Sequence, residues 1–256
     1  MCGVRFFSSS DGFSSPYLGR FISTAIDPIE KKPLYHWHPG SRIMSLGSAG
    51  CNMTCPFCQN HSISHPIRRP APSELREIGP ESLAAITKDN GLSSVAYTYN
   101  EPTLQGEYIT AAAPVLSDSG IASVIVTNGI FSSSLCADFS RVISAANVDV
   151  KTFNAETYRR IGGCLDTVMS NVESLLRGGV HIELTNLVVP GISDSIEDFV
   201  RMVDWIAGMD RRIPLHISRY FPAFRYSAPP TDVRVMEKFC SYAITKLSRV
   251  HLGNVR

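Results

Sequence analysis

From residue 43 onward, short apolar runs rich in β-branched residues alternate with longer stretches in which apolar positions recur at helical spacing. The runs IMSLGSA (43–49), SVAYTY (94–99), IASVIVT (121–127), NVDVKTF (147–153), IELTNLVV (182–189) and PLHISRYF (214–221) read as strands. Between them, PTLQGEYITAAAPVLSDSG and SDSIEDFVRMVDWIAGM read as helices. Gly120 stands where a C-terminal glycine would end the first. Ser193 or Asp194 is the expected N-cap of the second, with Glu197 placed for a capping box.

Strand alternating with helix six times over predicts a parallel α/β architecture. A full eight-unit barrel takes about 250 residues, whereas residues 43 to 248 hold six units. A partial (β/α)6 TIM-like barrel therefore fits the length better, and a doubly wound open sheet remains compatible with the pattern. The closing RVHLGNVR can add a short edge strand. Residues 1–42 read as an irregular N-terminal leader with a turn at DPIEKKP, and residues 43–256 as one barrel domain.

Composition narrows the function classes. A chain of 256 residues, 44% hydrophobic and 18% charged, can bury a full core. A formal net charge of +1 gives no electrostatic footprint for nucleic acid or an anionic membrane. No apolar run approaches the length of about 18 residues that a membrane span needs, and the start lacks the features of a signal peptide. A cytoplasmic protein is the expectation. The seven cysteines are odd in number, so a disulfide framework is not expected. Cys136, Cys164 and Cys240 stand alone and read as small buried hydrophobes.

In parallel β/α folds the site lies at the C-terminal ends of the strands. The first strand runs into Cys51, Cys55 and Cys58, and the second delivers Asn100 and Glu101. The third ends in Thr127, Asn128 and Gly129; the fourth puts Asp149 and Lys151 on one face. On the fifth and sixth, Glu183 with Thr185 and His216 with Ser218 do the same. Taken singly, a TNG turn, a helix start at Pro102, an internal ion pair and a core histidine are ordinary structural features. Buried polar groups are costly unless partnered, so their convergence on one mouth favours a polar ligand there.

The spacing Cys51-x3-Cys55-x2-Cys58 supplies three thiolates and no fourth. A structural zinc site wants four ligands, in this chain from Cys2 or a distant cysteine. A 4Fe–4S cluster held by three cysteines leaves one iron open to a ligand. With Phe57 before the last cysteine, this motif resembles the signature of the radical S-adenosylmethionine (radical SAM) superfamily. The segments YTYNEPT, VTNG, DVKTFN and VVPGISD resemble its pyruvate formate-lyase activating enzyme-like group. AIDPIEKKPLYHWHPG and PLHISRYFPAF are most similar to the radical SAM enzymes of the AmmeMemoRadiSam system. The resemblance covers roughly residues 18 to 255.

The resemblance implies a 4Fe–4S cluster held by Cys51, Cys55 and Cys58, with S-adenosylmethionine (SAM) on the open iron. It implies reductive cleavage of SAM to a 5′-deoxyadenosyl radical that abstracts hydrogen, in the activase case from a glycine of a glycyl-radical enzyme. Residue by residue, Phe57 would lie near the adenine, and Asn100 and Glu101 at the methionyl amino group. Asn128 would meet the ribose or methionyl end, Lys151 the carboxylate with Asp149 fixing it, Val189 the adenine and His216 the ribose side. A low-potential electron donor of flavodoxin or ferredoxin type is implied; the substrate is a protein or a small molecule. Two departures accompany the match: YNEP stands for the family's GGEP, and the chain opens at MCGVR where longer members carry a cysteine-rich segment, of which Cys2 is the expected remnant. The alternative reading is a zinc- or iron–sulfur-stabilised barrel protein without SAM chemistry. A barrel hydrolase would need a nucleophile–base motif, and none is visible.

Overall fold

The computed structural model describes residues 4–8 and 12–255, so Cys2 lies outside the described residues. Eight strands form the main sheet: β1 (Ser23–Pro28), β2 (Arg42–Gly47), β3 (Ser94–Tyr97), β4 (Ala122–Thr127), β5 (Ala145–Asp149), β6 (His181–Val188), β7 (Leu215–Arg219) and β8 (Val250–Gly253). They lie side by side in chain order. β2 to β8 are parallel throughout, and β1 runs antiparallel to β2 with Ser23 opposite Gly47 and Pro28 opposite Arg42. Six helical crossovers join the seven parallel strands, which is the partial barrel, with the closing RVHLGNVR segment supplying the last strand.

The crossover helices are α1 (Pro80–Asp89), α2 (Gly106–Asp118), α3 (Ser133–Val142), α4 (Ala155–Arg160) followed by α5 (Leu165–Arg177), α6 (Ile196–Met209) and α7 (Val233–Lys246). Side-chain caps set several starts: Ser132 accepts from the Leu135 amide, and Asn154 from that of Thr157. α2 stops where Gly120 turns left-handed at φ +72°. α6 begins at neither Ser193 nor Asp194. The Ser193 hydroxyl is committed to the end of β6, donating to the Leu187 carbonyl and accepting from the Val189 amide; Asp194 accepts from Gly191. Ser195 is the first free hydroxyl and caps the Asp198 amide, which puts Glu197 out of capping-box register.

Alternation along the strands builds two layers. Outward residues such as Val95, Ile125, Leu184 and Ile217 pack with the helices in the main apolar core. Inward, Ile43, Ala96, Val124 and Ala145 form a second cluster with Ile29 and Leu34, and Trp37 packs against it. The described residues of the leader include regular structure. Its residues 23–28 form the antiparallel edge strand, and residues 29–37 fill the lower end of the barrel.

That filling is fastened by one carboxylate. Glu183, fully buried on β6, accepts from the amides of Tyr35 (3.1 Å) and His36 (2.7 Å) and from the rings of His181 (3.1 Å) and His216 (2.7 Å). Asn147 donates to the Pro33 carbonyl (2.9 Å), and the Nε2 atoms of His36 and His251 meet at 2.8 Å. Although burial alone would raise Glu183, these four donors hold it well below the ordinary carboxylate range. A depressed carboxylate stabilises the fold above its unfolded value, 4.5, and that stabilisation is lost as pH falls through the folded value. Glu183→Ala should therefore cost about 3–5 kcal/mol, read as a lowered melting temperature at pH 7. Glu183→Gln should flatten the wild-type fall in melting temperature below about pH 4.5. An unchanged melting temperature for both variants would show that the barrel base is held in another way.

Candidate active site

After β2 the chain turns through a loop, residues 48–58, that crosses the C-terminal ends of the strands. Side-chain amides from the next two strand ends brace it. Asn100 accepts from the Ser48 amide (3.0 Å) and donates to the Ser48 hydroxyl (2.8 Å) and the Gly50 carbonyl (2.7 Å). Asn128 donates to Asn52 Oδ1 (2.7 Å) and accepts from the Ile130 amide (2.9 Å), while Asn52 donates to the Ile130 carbonyl (2.7 Å). Cys51 Sγ lies 3.5 Å from the Met53 amide and 3.9 Å from Asn128 Nδ2. From outside, the Thr54 amide donates to the Ile161 carbonyl and the Arg225 amide to that of Pro56, both at 2.9 Å.

Between this loop and the strand ends lies a cavity of about 290 Å³. Cys51, Cys55, Cys58, Phe57, Asn100, Glu101, Asn128, Asp149 and Lys151 all line it, as do Thr185 and Ser218. Two expected residues do not. Val189 is fully buried past the end of β6, in the apolar layer beneath the helices. His216 shares the inward face with Ser218 but sits one step, two residues at about 3.3 Å each, further down the barrel, where Glu183 holds it. Among the described residues, no three His, Cys, Asp or Glu side chains meet closely enough to share a single ion; the three sulfurs are arranged around a volume. Of the isolated cysteines, Cys136 is buried and Cys240 half-buried, but Cys164 is exposed, at the N-cap position of α5.

The electrostatics of the cavity are set by burial. It pushes the Cys51 thiol up to about 12, with the charge of Glu101 adding to the effect, and that of Cys55 up to about 11. Thiolates in this place need a cationic partner. Lys151 donates to Asp149 at 2.7 Å; burial pulls it down, but Asp149 and Cys55 carry it above its usual value. Glu101 is buried, which raises it, and it accepts from the Thr103 amide (3.1 Å), the Thr127 hydroxyl (2.7 Å) and the Asn128 amide (2.8 Å). It thus caps the turn that leads into α2 and faces the cavity as well.

Several residues in or beside the cavity carried no motif. Asn52, the partner of Asn128, sits in the x3 gap of the cysteine spacing. Tyr99 takes a left-handed conformation at φ +71°, unusual for a bulky residue, at a position where the related motif has glycine. That departure from GGEP was the available signal. Its hydroxyl donates to Asp27 at 2.5 Å, the Lys32 ammonium lies 4.4 Å from its ring centre, and its carbonyl accepts from Asn60 at 2.6 Å. Lys31, on the leader, and Asn254, past β8, line the cavity from the two edges of the open sheet.

With this geometry in view, the decisive comparison is with a family model described as the radical SAM superfamily, which matches residues 46–206. The chain belongs to the radical SAM superfamily. An uncharacterized protein of Methanocaldococcus jannaschii is 33% identical over 243 residues, covering 93% of this chain and 71% of that one. Among solved structures, Streptococcus suis SuiB bound to S-adenosylmethionine superposes with a TM-score of 0.61 at 16% identity, covering 80% of this chain and 48% of SuiB. A domain of pyruvate-formate lyase-activating enzyme from Bacteroides vulgatus gives 0.54 at 12% identity, covering 62% and 98%. The chain spans about half the length of SuiB, and of the GTP 3′,8-cyclase of Haemophilus influenzae that it also matches. Radical SAM enzymes use a 4Fe–4S cluster and SAM. The donor set fits such a cluster: three sulfurs around one cavity, that of Cys55 buried and those of Cys51 and Cys58 half-buried, with N–H groups aimed at Cys51.

Asn128→Ala removes the donor to Asn52 and the acceptor for the Ile130 amide, and a buried polar group left alone costs about 1–3 kcal/mol. At about 2–4 °C per kcal/mol, the expected melting temperature is several degrees lower, with less iron retained after anaerobic reconstitution and desalting. Wild-type iron retention in this variant would mean that the amide pair does not organise the cysteine loop.

Proposed function

We propose that this protein is a radical SAM enzyme of the activating-enzyme-like type, in which Cys51, Cys55 and Cys58 hold a 4Fe–4S cluster within the cavity. The observation that carries the reading is the convergence of these three thiols with Asp149 and Lys151 on one cavity braced from two neighbouring strand ends. When bound, the cluster and SAM supply a 5′-deoxyadenosyl radical by one-electron reduction, and that radical takes a hydrogen atom from the substrate.

The chain's own residues bind and orient. Lys151, held charged by Asp149, receives the carboxylate of SAM as a charge-assisted pair. Glu101 retains acceptor capacity beyond its three donors and receives the ammonium. Phe57, buried against the cavity, provides apolar surface for the adenine. Asn100 and Asn128 act as positioning residues, because their amides are spent on the cysteine loop. The similarity of AIDPIEKKPLYHWHPG and PLHISRYFPAF to AmmeMemoRadiSam enzymes supports a place in that group, acting on a protein or small molecule.

The test is anaerobic: reconstitute with iron and sulfide, add dithionite and SAM, and assay 5′-deoxyadenosine. Product is expected from wild type and none from Cys55→Ala, which should also lose the brown chromophore. Lys151→Ala should keep the chromophore and bind SAM at least tenfold more weakly by calorimetry. Full product from Cys55→Ala would refute the proposal.

A further inference from the structure

The outer side of the cysteine loop is covered by three separate elements, and all three present arginine. The loop that follows the helical turn His61–Ser64 carries Arg68 and Arg69, and it is tied down where the Gly50 amide donates to the Ile63 carbonyl at 2.9 Å. α4 carries Arg159 and Arg160 and is joined through Thr54 to Ile161. The segment after β7 carries Arg225 and is joined to Pro56. These five arginines are exposed. Arg68 is paired with Glu74; among the described residues Arg69, Arg159, Arg160 and Arg225 are in no ion pair. Residues 50–70 and 219–231 contain no Asp or Glu, and α4 contributes a single carboxylate, Glu156. A chain whose net charge is +1 thus concentrates uncompensated positive charge around one loop.

The surface is also shaped for contact. Ile67 is wholly exposed, at 108%, and stands beside Arg68 and Arg69. Nearby, the ring of Phe224 stacks on those of His61 (4.9 Å) and His65 (5.7 Å), with the Arg225 guanidinium 4.8 Å from its centre. Phe224 holds a left-handed backbone at φ +57°, a conformation that costs a bulky residue about 1–3 kcal/mol. An apolar anchor ringed by arginines is the composition of a protein-docking surface. Its charge fits an acidic partner and would steer that partner onto the loop.

We infer that this face docks an acidic one-electron carrier protein, which delivers its electron across the cysteine loop to the site on the loop's inner side. The inference rests on the proposed function and names the surface that serves it. The step is a bare electron transfer: the reduced carrier loses one electron, the cluster gains it, and no bond or proton moves.

The test uses reconstituted holoenzyme with a purified acidic flavodoxin as the probe. In the Arg69→Glu/Arg225→Glu variant, binding of flavodoxin should weaken at least tenfold at low salt, and the wild-type affinity should itself fall as salt rises. Flavodoxin-driven 5′-deoxyadenosine formation should drop by a similar factor while the dithionite-driven rate holds. Lys88→Glu, at the opposite end of the barrel, should change neither. Unchanged flavodoxin affinity in the double variant would overturn the inference, as would an equal loss with both reductants. So would a wild-type face that binds single-stranded RNA through the same arginines and leaves flavodoxin unbound. If wild type gives no product with either reductant, the proposed function fails, and the binding measurement still decides the surface.

Discussion

A parallel sheet that stops short of closure leaves an uncovered inner face and two unpaired edges, and most of this structure follows from meeting that constraint. The lower half of the inner face is covered by chain from the leader, whose Ile29, Leu34 and Trp37 supply the apolar filling. Backbone brought into the barrel must have its amides satisfied, and Glu183 does this for two of them while drawing in two imidazoles. On one edge the sheet is extended by an antiparallel strand. Near the other, His251 on β8 meets His36 of the filling segment, and burial lowers both rings so that the pair stays uncharged at neutral pH. With the base sealed in this way, the upper end is left as the cavity.

The upper end is organised by amides, with charge reserved for the interior. Asn100 and Asn128 fix the cysteine loop from two strands, and neither has much hydrogen-bonding capacity left for a ligand. Glu101, the Asp149–Lys151 pair and Lys31 are then the charged groups that line the cavity. Tyr99 links the two ends of the molecule. Its carbonyl receives Asn60 beside the cysteine loop and its hydroxyl reaches Asp27 on the edge strand, so the left-handed turn that it must adopt is held from both sides.

The fold was legible from position 43 onward because strand and helix periodicities differ so sharply, and the cysteines were legible because their spacing is specific. Residues 1–42 were not. A segment that fills a barrel carries mixed apolar and charged positions with no period, and its edge strand, STAIDP, is recognisable only by its partner. The face assignments of Glu183 and His216 were right, since they share the inward side with Thr185 and Ser218. What alternation cannot give is height along the barrel, and one step separates the cavity from the sealed base. Val189 lies outside the cavity lining for a different reason, since it follows the last residue of β6 and the alternation no longer applies. The bracing role of Asn52 had no sequence signal at all, because it depends on where Asn128 arrives from 76 positions away.

The cavity draws one wall from Lys31 and another from Asn254, residues that stand on opposite sides of the opening in the sheet. During synthesis the chain emerges in order, and the cysteine loop, the amides that brace it and the first five parallel strands are all available long before β8. The opposite wall exists only once residue 254 has left the ribosome. Until then the nascent protein offers its thiols in a half-open trough, and the wall at Asn254 joins the compartment after every other residue that lines it. Timing, as much as geometry, separates the moment when the cysteines can first be reached from the moment when they are enclosed.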